Sequence, residues 1–170
     1  SMALIEGDTA YKPPEFELRF TPVFNVNRVE VEEPRVLYAD PSRGTRRTDQ
    51  FVGLQDTFLD VHLRNVSDRF DFDSVRVGIQ PFTSDFRGFL FQDNQLGLRL
   101  FGNRSNNLWQ YNIAWFRRLE KEIDSGLNDA WREPRKDDVV AFNLYRQDLP
   151  LLGFNSQATV VHNRNREAAE

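Results

Sequence analysis

Apolar and polar residues alternate along two neighbouring runs within residues 88–116. The first run places Leu96, Leu98 and Leu100 in one set and Gln95, Gly97 and Arg99 in the other. The second run places Trp109, Tyr111, Ile113 and Trp115 in one set and Gln110, Asn112 and Ala114 in the other. Successive side chains of a strand point to opposite faces, so both runs are typical of β-strands. The Gly/Asn/Ser-rich segment 102–107 between them predicts an antiparallel hairpin.

Similar alternation recurs along most of the chain and predicts an all-β fold. Further strands are expected at residues 16–20 with an extension towards 31, and at 59–64, 75–80, 140–145 and 154–161. Together they make seven or eight antiparallel amphipathic strands of about 7–11 residues each. Such strands are expected to form a β-barrel or part of one, and the alternative is a soluble β-sandwich or jelly roll.

The ends of the chain lack this alternation, which sets the expected domain limits. Residues 1–14 end in two prolines and are interpreted as an N-terminal arm that begins with a tag remnant. Residues 15–163 are expected to form a single antiparallel β domain. Residues 164–170 are polar and are expected to form a flexible tail.

Three internal segments interrupt the strand pattern. Residues 32–50 carry two prolines, a glycine and four arginines, and residues 128–138 are charged and contain Pro134, so both are expected to be loops. The segment 117–127 fits one or two helical turns, with Leu119 and Ile123 four residues apart. It fits equally well a strand end that is followed by a polar loop.

Composition excludes several classes of chemistry. Among 170 residues there is no cysteine and there are only two histidines, which removes disulfides, thiolate nucleophiles and Cys-ligated metals. The net charge of -4 argues against general nucleic-acid binding, which favours a basic surface. No spacing of carboxylates, serine and histidine indicates catalysis, and no glycine pattern indicates a phosphate-binding loop. We therefore expect neither an enzyme nor a bound cofactor or metal.

The polar sides of the expected strands carry the candidate binding residues. They are Arg64, Arg76, Gln80, Arg99, Gln110 and Asn112, with Asn143 as a further member. In a soluble sandwich this set faces water and the apolar set forms the core. In an outer-membrane barrel the two faces exchange roles, because apolar residues contact lipid and the polar set lines the lumen.

Two long strings carry a resemblance to a known class. GIQPFTSDFRGFLFQDNQLGLRLFGN, from Gly78 to Asn103, and NLWQYNIAWFRRLEKEIDSGLND, from Asn107 to Asp129, resemble bacterial outer-membrane β-barrel proteins. The similarity is to the porin-like and TonB-dependent-receptor-like group of Gram-negative bacteria, and it covers roughly residues 50–163. It is one of strand style, in which amphipathic strands end in Asp/Asn/Gly turns and arginines point inward.

The resemblance implies that the chain is a fragment of a larger barrel in the cell outer membrane. The implied function is solute passage or uptake, with outer-membrane lipid, a small solute or sugar and other envelope proteins as partners. Arg76, Arg99 and Arg64 would form an electropositive lining for anionic or sugar solutes. The alternative is a periplasmic or secreted β-sandwich binding module, with carbohydrate as a candidate ligand. Its core or sugar-stacking residues would include Trp109, Trp115, Trp131 and Tyr145.

Overall fold

The computed structural model describes residues 1–7, 14–31, 42 and 44–167 of the chain. These residues form ten β-strands and contain no α-helix. The strands are β1 (Met2–Glu6), β2 (Phe16–Glu30), β3 (Arg46–Asn65), β4 (Phe72–Thr83), β5 (Gln92–Arg104), β6 (Trp109–Arg117), β7 (Glu120–Lys121), β8 (Asn128–Asp129), β9 (Asp137–Gln147) and β10 (Asn155–Asn165). In this part of the chain no helix has the length and apolar character needed to cross a membrane.

Eight of the strands form one antiparallel sheet in the order β1-β2-β3-β4-β5-β6-β9-β10. Each strand therefore pairs with its neighbour along the chain, and β7 and β8 form a separate two-stranded sheet inserted between β6 and β9. The all-β antiparallel prediction is confirmed. Among the described residues β1 and β10 do not pair with each other, so the sheet is open. An open sheet is compatible both with part of a barrel and with a sandwich.

The two longest connections between strands of the sheet lie at the same end. Residues 7–15, 66–71, 105–108 and 148–154 join strands at the other end, which we call the turn end. The segments 31–45, 84–91 and 118–136 join strands at the opposite end, which we call the loop end. The shortest connection, 105–108, has three successive residues with positive φ, a conformation that asparagine tolerates better than most residues.

The two faces of the sheet differ sharply in composition. Leu98 lies opposite Trp115, and Trp115 lies opposite Val140; these three side chains are 46%, 43% and 44% exposed. Their face is the outer face. Alternate residues of the same strands lie on the inner face, where Ala114, Phe116, Val139 and Ala141 belong to a buried core cluster. The face partition of the hairpin at 88–116 is confirmed, and its aliphatic face is the exposed one.

Strands extend further towards both ends of the chain than expected. Residues 2–6, assigned to an arm, form β1 and pair with residues 16–20 of β2, so that Leu4 lies opposite Leu18. At the other end β10 continues to Asn165, beyond the expected limit at residue 163. The parts of the predicted arm and tail at 8–13 and 168–170 lie outside the described residues.

Strands also include parts of the two segments that are expected to be loops, 32–50 and 128–138, and the segment 117–127 forms no helix. Residues 46–50 belong to β3, whereas 32–41 and 43 lie outside the described residues. The segment 117–127 contains no helix, because Glu120–Lys121 pairs with Asn128–Asp129 across a turn. Gly126 closes that turn with a φ of 68° and donates its N–H to the carbonyl of Glu122.

Candidate functional site

The inner face brings most of the predicted binding residues together. Arg76 lies opposite Arg99 and Gln80 lies opposite Gln95 on neighbouring strands. Gln110 and Asn112 follow on β6, opposite Asn103 and Phe101. These pairings hold five members of the predicted set, Arg76, Gln80, Arg99, Gln110 and Asn112, on one side of three adjacent strands.

Arg64 lies on the outer face, so its assignment to the same lining is wrong. The register between β3 and β4 shifts between His62 and Arg64, where Leu63 is an extra residue. This irregularity places Arg64 opposite Asp73, which shares the outer face with Val75. An extra residue changes the face on which every later side chain lies, and the sequence pattern alone did not reveal it.

Asp73 is the centre of a charged cluster on the outer face. It is 4% exposed, and Arg64 and Arg104 donate to its two carboxylate oxygens at 2.8 and 2.7 Å. The hydroxyl of Tyr111 also donates to Asp73. Gly102, which lies between them in the register, leaves room for this contact. The cluster marks the border of the apolar area towards the turn end.

Arg76 is held by a carboxylate and an aromatic ring. Its Nε and Nη2 donate to Asp60 at 2.9 and 2.6 Å, and its guanidinium lies 4.2 Å from the centre of the Phe58 ring. Asp60 is 6% exposed. The pair is therefore an ion pair shielded from solvent and backed by a cation–π contact, and the positive charge of Arg76 is locally neutralised.

Arg99 has a different environment, although it lies beside Arg76. Its Nε donates at 2.7 Å to Oδ1 of Asn112, and Nη2 donates to the same oxygen. Its guanidinium lies 4.6 Å from the centre of the Phe101 ring and 5.4 Å from that of Phe82. Within the described residues no carboxylate lies within ion-pair distance of Arg99, unlike Arg19, Arg47 and Arg76 on the same face.

Two buried glutamines link neighbouring backbones on the inner face, and one of them, Gln95, reaches the insertion between β6 and β9. The Gln80 amide donates to the carbonyls of Arg76 and Gly97 at 3.3 and 3.2 Å. Gln95 donates to Asp93 at 2.6 Å and accepts the backbone N–H of Leu119. Both side chains are fully buried. Both polar atoms of the Gln95 amide are therefore paired, whereas Oε1 of Gln80 is buried without a hydrogen-bond partner among the described residues.

The end of the β4–β5 hairpin folds over the inner face of β6, β9 and β10. We call residues 82–91 the hairpin tip. The carbonyl of Ser84 accepts hydrogen bonds from Asn143, from Gln157 at 2.9 Å and from Thr159 at 3.0 Å. The rings of Phe82 and Phe91 lie 5.0 and 5.7 Å from that of Phe116, so the tip completes the buried core cluster.

Asp85 organises the chain within the hairpin tip. Its carboxylate accepts the backbone N–H groups of Leu90, Arg87 and Phe89 at 3.0, 2.9 and 3.2 Å. These hydrogen bonds, that of Leu90 foremost, lower the pKa of Asp85 to about 2. The tip therefore has a fixed shape that exposes Phe86, Phe89 and Leu90.

The second element against the inner face is the β7–β8 pair with its flanking residues. Lys121 donates to Asp93 and Asn128 at 2.7 and 2.6 Å, and the indole of Trp131 donates to the carbonyl of Val52 at 2.9 Å. Between this element and strands β2 and β3 lies a cavity of about 430 Å³. Its lining mixes both charges with Asn27 and Phe51. No group of three or more His, Cys, Asp or Glu in the described ranges is arranged to hold a metal ion.

Comparison with protein-family models, with curated proteins and with solved structures finds no match to this chain. Function is therefore argued from the two faces of the sheet and from the elements that fold against them. Sequence reasoning missed Asp60, Ser84 and Gln157, which hold the inner face together. The alternation pattern can place a polar residue on the polar face of a strand. It cannot show which residues of distant strands contact one another, which only the folded structure reveals.

Proposed function

We propose that this chain is a sector of an outer-membrane β-barrel and serves the passage or uptake of small solutes. One observation carries the proposal: the apolar face of the sheet is exposed, and the polar face is internal. The exposed members along β2 are Leu18, Phe20, Phe24 and Val26, followed across the sheet by Val52, Leu63, Val77, Leu96, Leu98, Ile113, Trp115, Val140, Phe142 and Val160. A soluble sheet shows the opposite arrangement.

The exposed apolar area is continuous across the sheet. The register links Leu18, Leu59 and Val77 in one row, and the same row continues through Leu98, Trp115 and Val140. Along β2 the outward apolar positions from Phe16 to Val26 span about 33 Å of strand. A strand tilt of ~45° would reduce the height of these positions along the membrane normal to roughly the ~25 Å apolar band of a membrane barrel. In water such a continuous patch would drive association.

The connectivity of the sheet supports the same proposal. Transmembrane barrels join sequential antiparallel strands through short turns at one end and longer loops at the other, and the two longest connections of this sheet, 31–45 and 118–136, are both at the loop end. Backbone groups in hydrocarbon must be paired, which an uninterrupted sheet achieves for its internal strands. The partly exposed polar residues of the inner face, Arg99, Gln110 and Asn112, then face the space that a solute crosses.

Tryptophan fluorescence tests which medium contacts the outer face. Trp115 is 43% exposed on the outer face, whereas Trp131 is 73% exposed on the insertion at the loop end. Two variants, each with phenylalanine at the other two tryptophan positions, would report on Trp115 and Trp131 separately. After refolding into vesicles, we expect lipids brominated along their chains to quench Trp115 strongly and Trp131 weakly.

Size-exclusion chromatography and far-UV circular dichroism on the protein without detergent test whether it can fold as a soluble monomer. We expect a β-rich species that stays dispersed only with detergent or lipid. A monodisperse β-rich monomer in plain buffer, with Trp115 unquenched by the vesicles, would contradict the membrane proposal. That result would favour the soluble binding module, for which a glycan screen with Trp131→Ala would follow.

A further inference from the structure

Arg99 lies in an unbalanced electrostatic position. Arg76 lies directly opposite it in the register, and like charges at opposed positions on neighbouring strands repel each other. Asp60 compensates Arg76 but does not form an ion pair with Arg99. Aromatic rings and an amide oxygen surround the Arg99 guanidinium, and a half-buried cation without a counter-charge is unfavourable.

A cavity opens beside this guanidinium towards the turn end of the inner face. It has a volume of about 220 Å³, which suits a small solute or one end of a larger one. Arg99, Asn103, Asn107, Gln110 and Asn112 supply its polar lining, and Phe101 is among its aromatic residues. None of the lining residues is an aspartate or a glutamate.

The lining provides hydrogen-bond donors as well as charge. Both hydrogen bonds that Arg99 makes within the described residues use Nε and Nη2, so its Nη1 donates to no protein group there. Asn112 uses its oxygen towards Arg99, and its amide nitrogen likewise donates to no group of the described residues. A planar guanidinium next to an amide donor matches the oxygens of a carboxylate or phosphate group.

We propose that the cavity beside Arg99 is a binding site for a small oxyanion, meaning a solute that carries a carboxylate or phosphate group. The inference deepens the proposed function, because it names the class of solute, and it rests on that proposal for the role of the site in passage. The anion supplies the counter-charge that Arg99 lacks, while Asn112 orients the guanidinium. Arg76, already paired with Asp60, contributes no free charge.

Isothermal titration calorimetry on the folded 170-residue chain tests the site, in buffer or in detergent micelles as the protein requires. Inorganic phosphate and succinate are the two anionic probes, and glucose is the neutral one. We expect at least one anion to bind and glucose not to bind. The stronger of the two anions identifies the phosphate or the carboxylate as the preferred group.

Asn112→Asp is the decisive variant. It keeps the size of the side chain and gives Arg99 a carboxylate partner, so the protein should fold and anion binding should fall at least tenfold. Arg99→Gln should weaken binding by a similar factor. Arg64→Gln removes the same charge from the outer face and should leave the affinity within twofold of the unaltered protein.

The inference would be overturned if the unaltered protein binds neither anion, or if Asn112→Asp binds as the unaltered protein does. If Arg64→Gln lost as much affinity as Arg99→Gln, the loss would reflect only the change in net charge, and the inference would also be overturned. These readouts need no membrane. If the protein binds an anion but brominated lipids do not quench Trp115, the membrane proposal is rejected and the anion site is kept. If the lipids quench Trp115 but no anion binds, only the anion site is rejected.

Discussion

Leu98 on β5 lies directly opposite Trp115 on β6, and both side chains are exposed on the outer face. Their chain neighbours Gly97 and Phe116 form the next pair and are buried on the inner face. The ring of Phe116 occupies the space that a side chain at position 97 would need. One step along each strand thus separates an exposed apolar pair from the packed interior.

Leu98→Arg should distinguish the two environments proposed for the outer face. A lipid-facing arginine near the middle of the bilayer costs about 2–4 kcal/mol of folding free energy. A solvent-facing substitution usually changes stability by no more than about 0.5 kcal/mol. We expect the larger loss, measured by denaturant unfolding in vesicles. Asn163→Arg introduces the same charge on the inner face of β10 and should change stability little; an equal loss in both variants would argue against a lipid-facing outer face.

Asp73 and Arg64 form one ion pair but should respond unequally to substitution. Asp73 is 4% exposed and pairs with two arginines, so Asp73→Asn weakens charge-assisted hydrogen bonds to both and should cost about 1.5–3 kcal/mol. The side chain of Arg64 is 70% exposed, and Arg64→Gln should cost at most about 1 kcal/mol. Equilibrium unfolding of both variants measures the difference. Similar losses would show that Arg104 and Tyr111 do not compensate for Arg64.

Gln157 should control the opening of the hairpin tip. Its amide donates to the Ser84 carbonyl at 2.9 Å, and its oxygen accepts the Phe86 N–H at 3.0 Å. Gln157→Leu removes both, which should lower the opening free energy by about 1–2 kcal/mol and raise tryptic cleavage after Arg87 about 5–30-fold. Ser156→Ala alters the neighbouring residue, which contacts Leu149 rather than the tip, and should not change the rate. Unchanged cleavage in Gln157→Leu would mean that aromatic packing alone holds the tip.

The hairpin tip should also lose its order in acid. Asp85 has a pKa of about 2 in the folded protein, below the value of about 3.9 of an unperturbed aspartate. A lowered folded pKa contributes stability that is present above the unfolded value and lost as the pH falls through the folded one. Hydrogen exchange at Phe89 and Leu90, corrected for intrinsic rates, should therefore show protection at pH 5 that declines between about pH 4 and pH 2. Asp85→Asn should abolish this dependence, while Asp68→Asn in the 66–71 turn should retain it.

The alternation of residues 88–116 predicted the hairpin, its turn and the membership of both faces, because period-2 patterning follows directly from strand geometry. The same reasoning located Arg76, Gln80, Arg99, Gln110 and Asn112 on one face. It left open which face is internal, since an amphipathic strand has the same pattern in a soluble sheet and in a membrane barrel.

The alternation of apolar and polar residues did not predict features that depend on local irregularities of a strand or on long-range contacts. The extra residue at Leu63 turns Arg64 to the outer face, and a single inserted residue has no signature in the sequence. Strand β1 forms because the edge of β2 is free to pair with it, and the short sequence MALIE does not by itself predict this pairing. The hairpin tip meets β10 about 70 residues later in the chain, a contact that no local periodicity encodes.

Strand β3 has 20 residues, whereas about 9–11 are enough to cross a bilayer. Residues 46–56 of this strand pair with β2 alone. The indole of Trp131 and residues of the β7–β8 pair contact this half of the strand. In the proposed barrel the end of this ribbon, where residues 46–49 of β3 pair with residues 27–30 of β2, would stand in water beyond the loop-end surface of the membrane. The cavity of about 430 Å³ beside it would then form a vestibule, which a solute arriving from that side meets before it reaches Arg99.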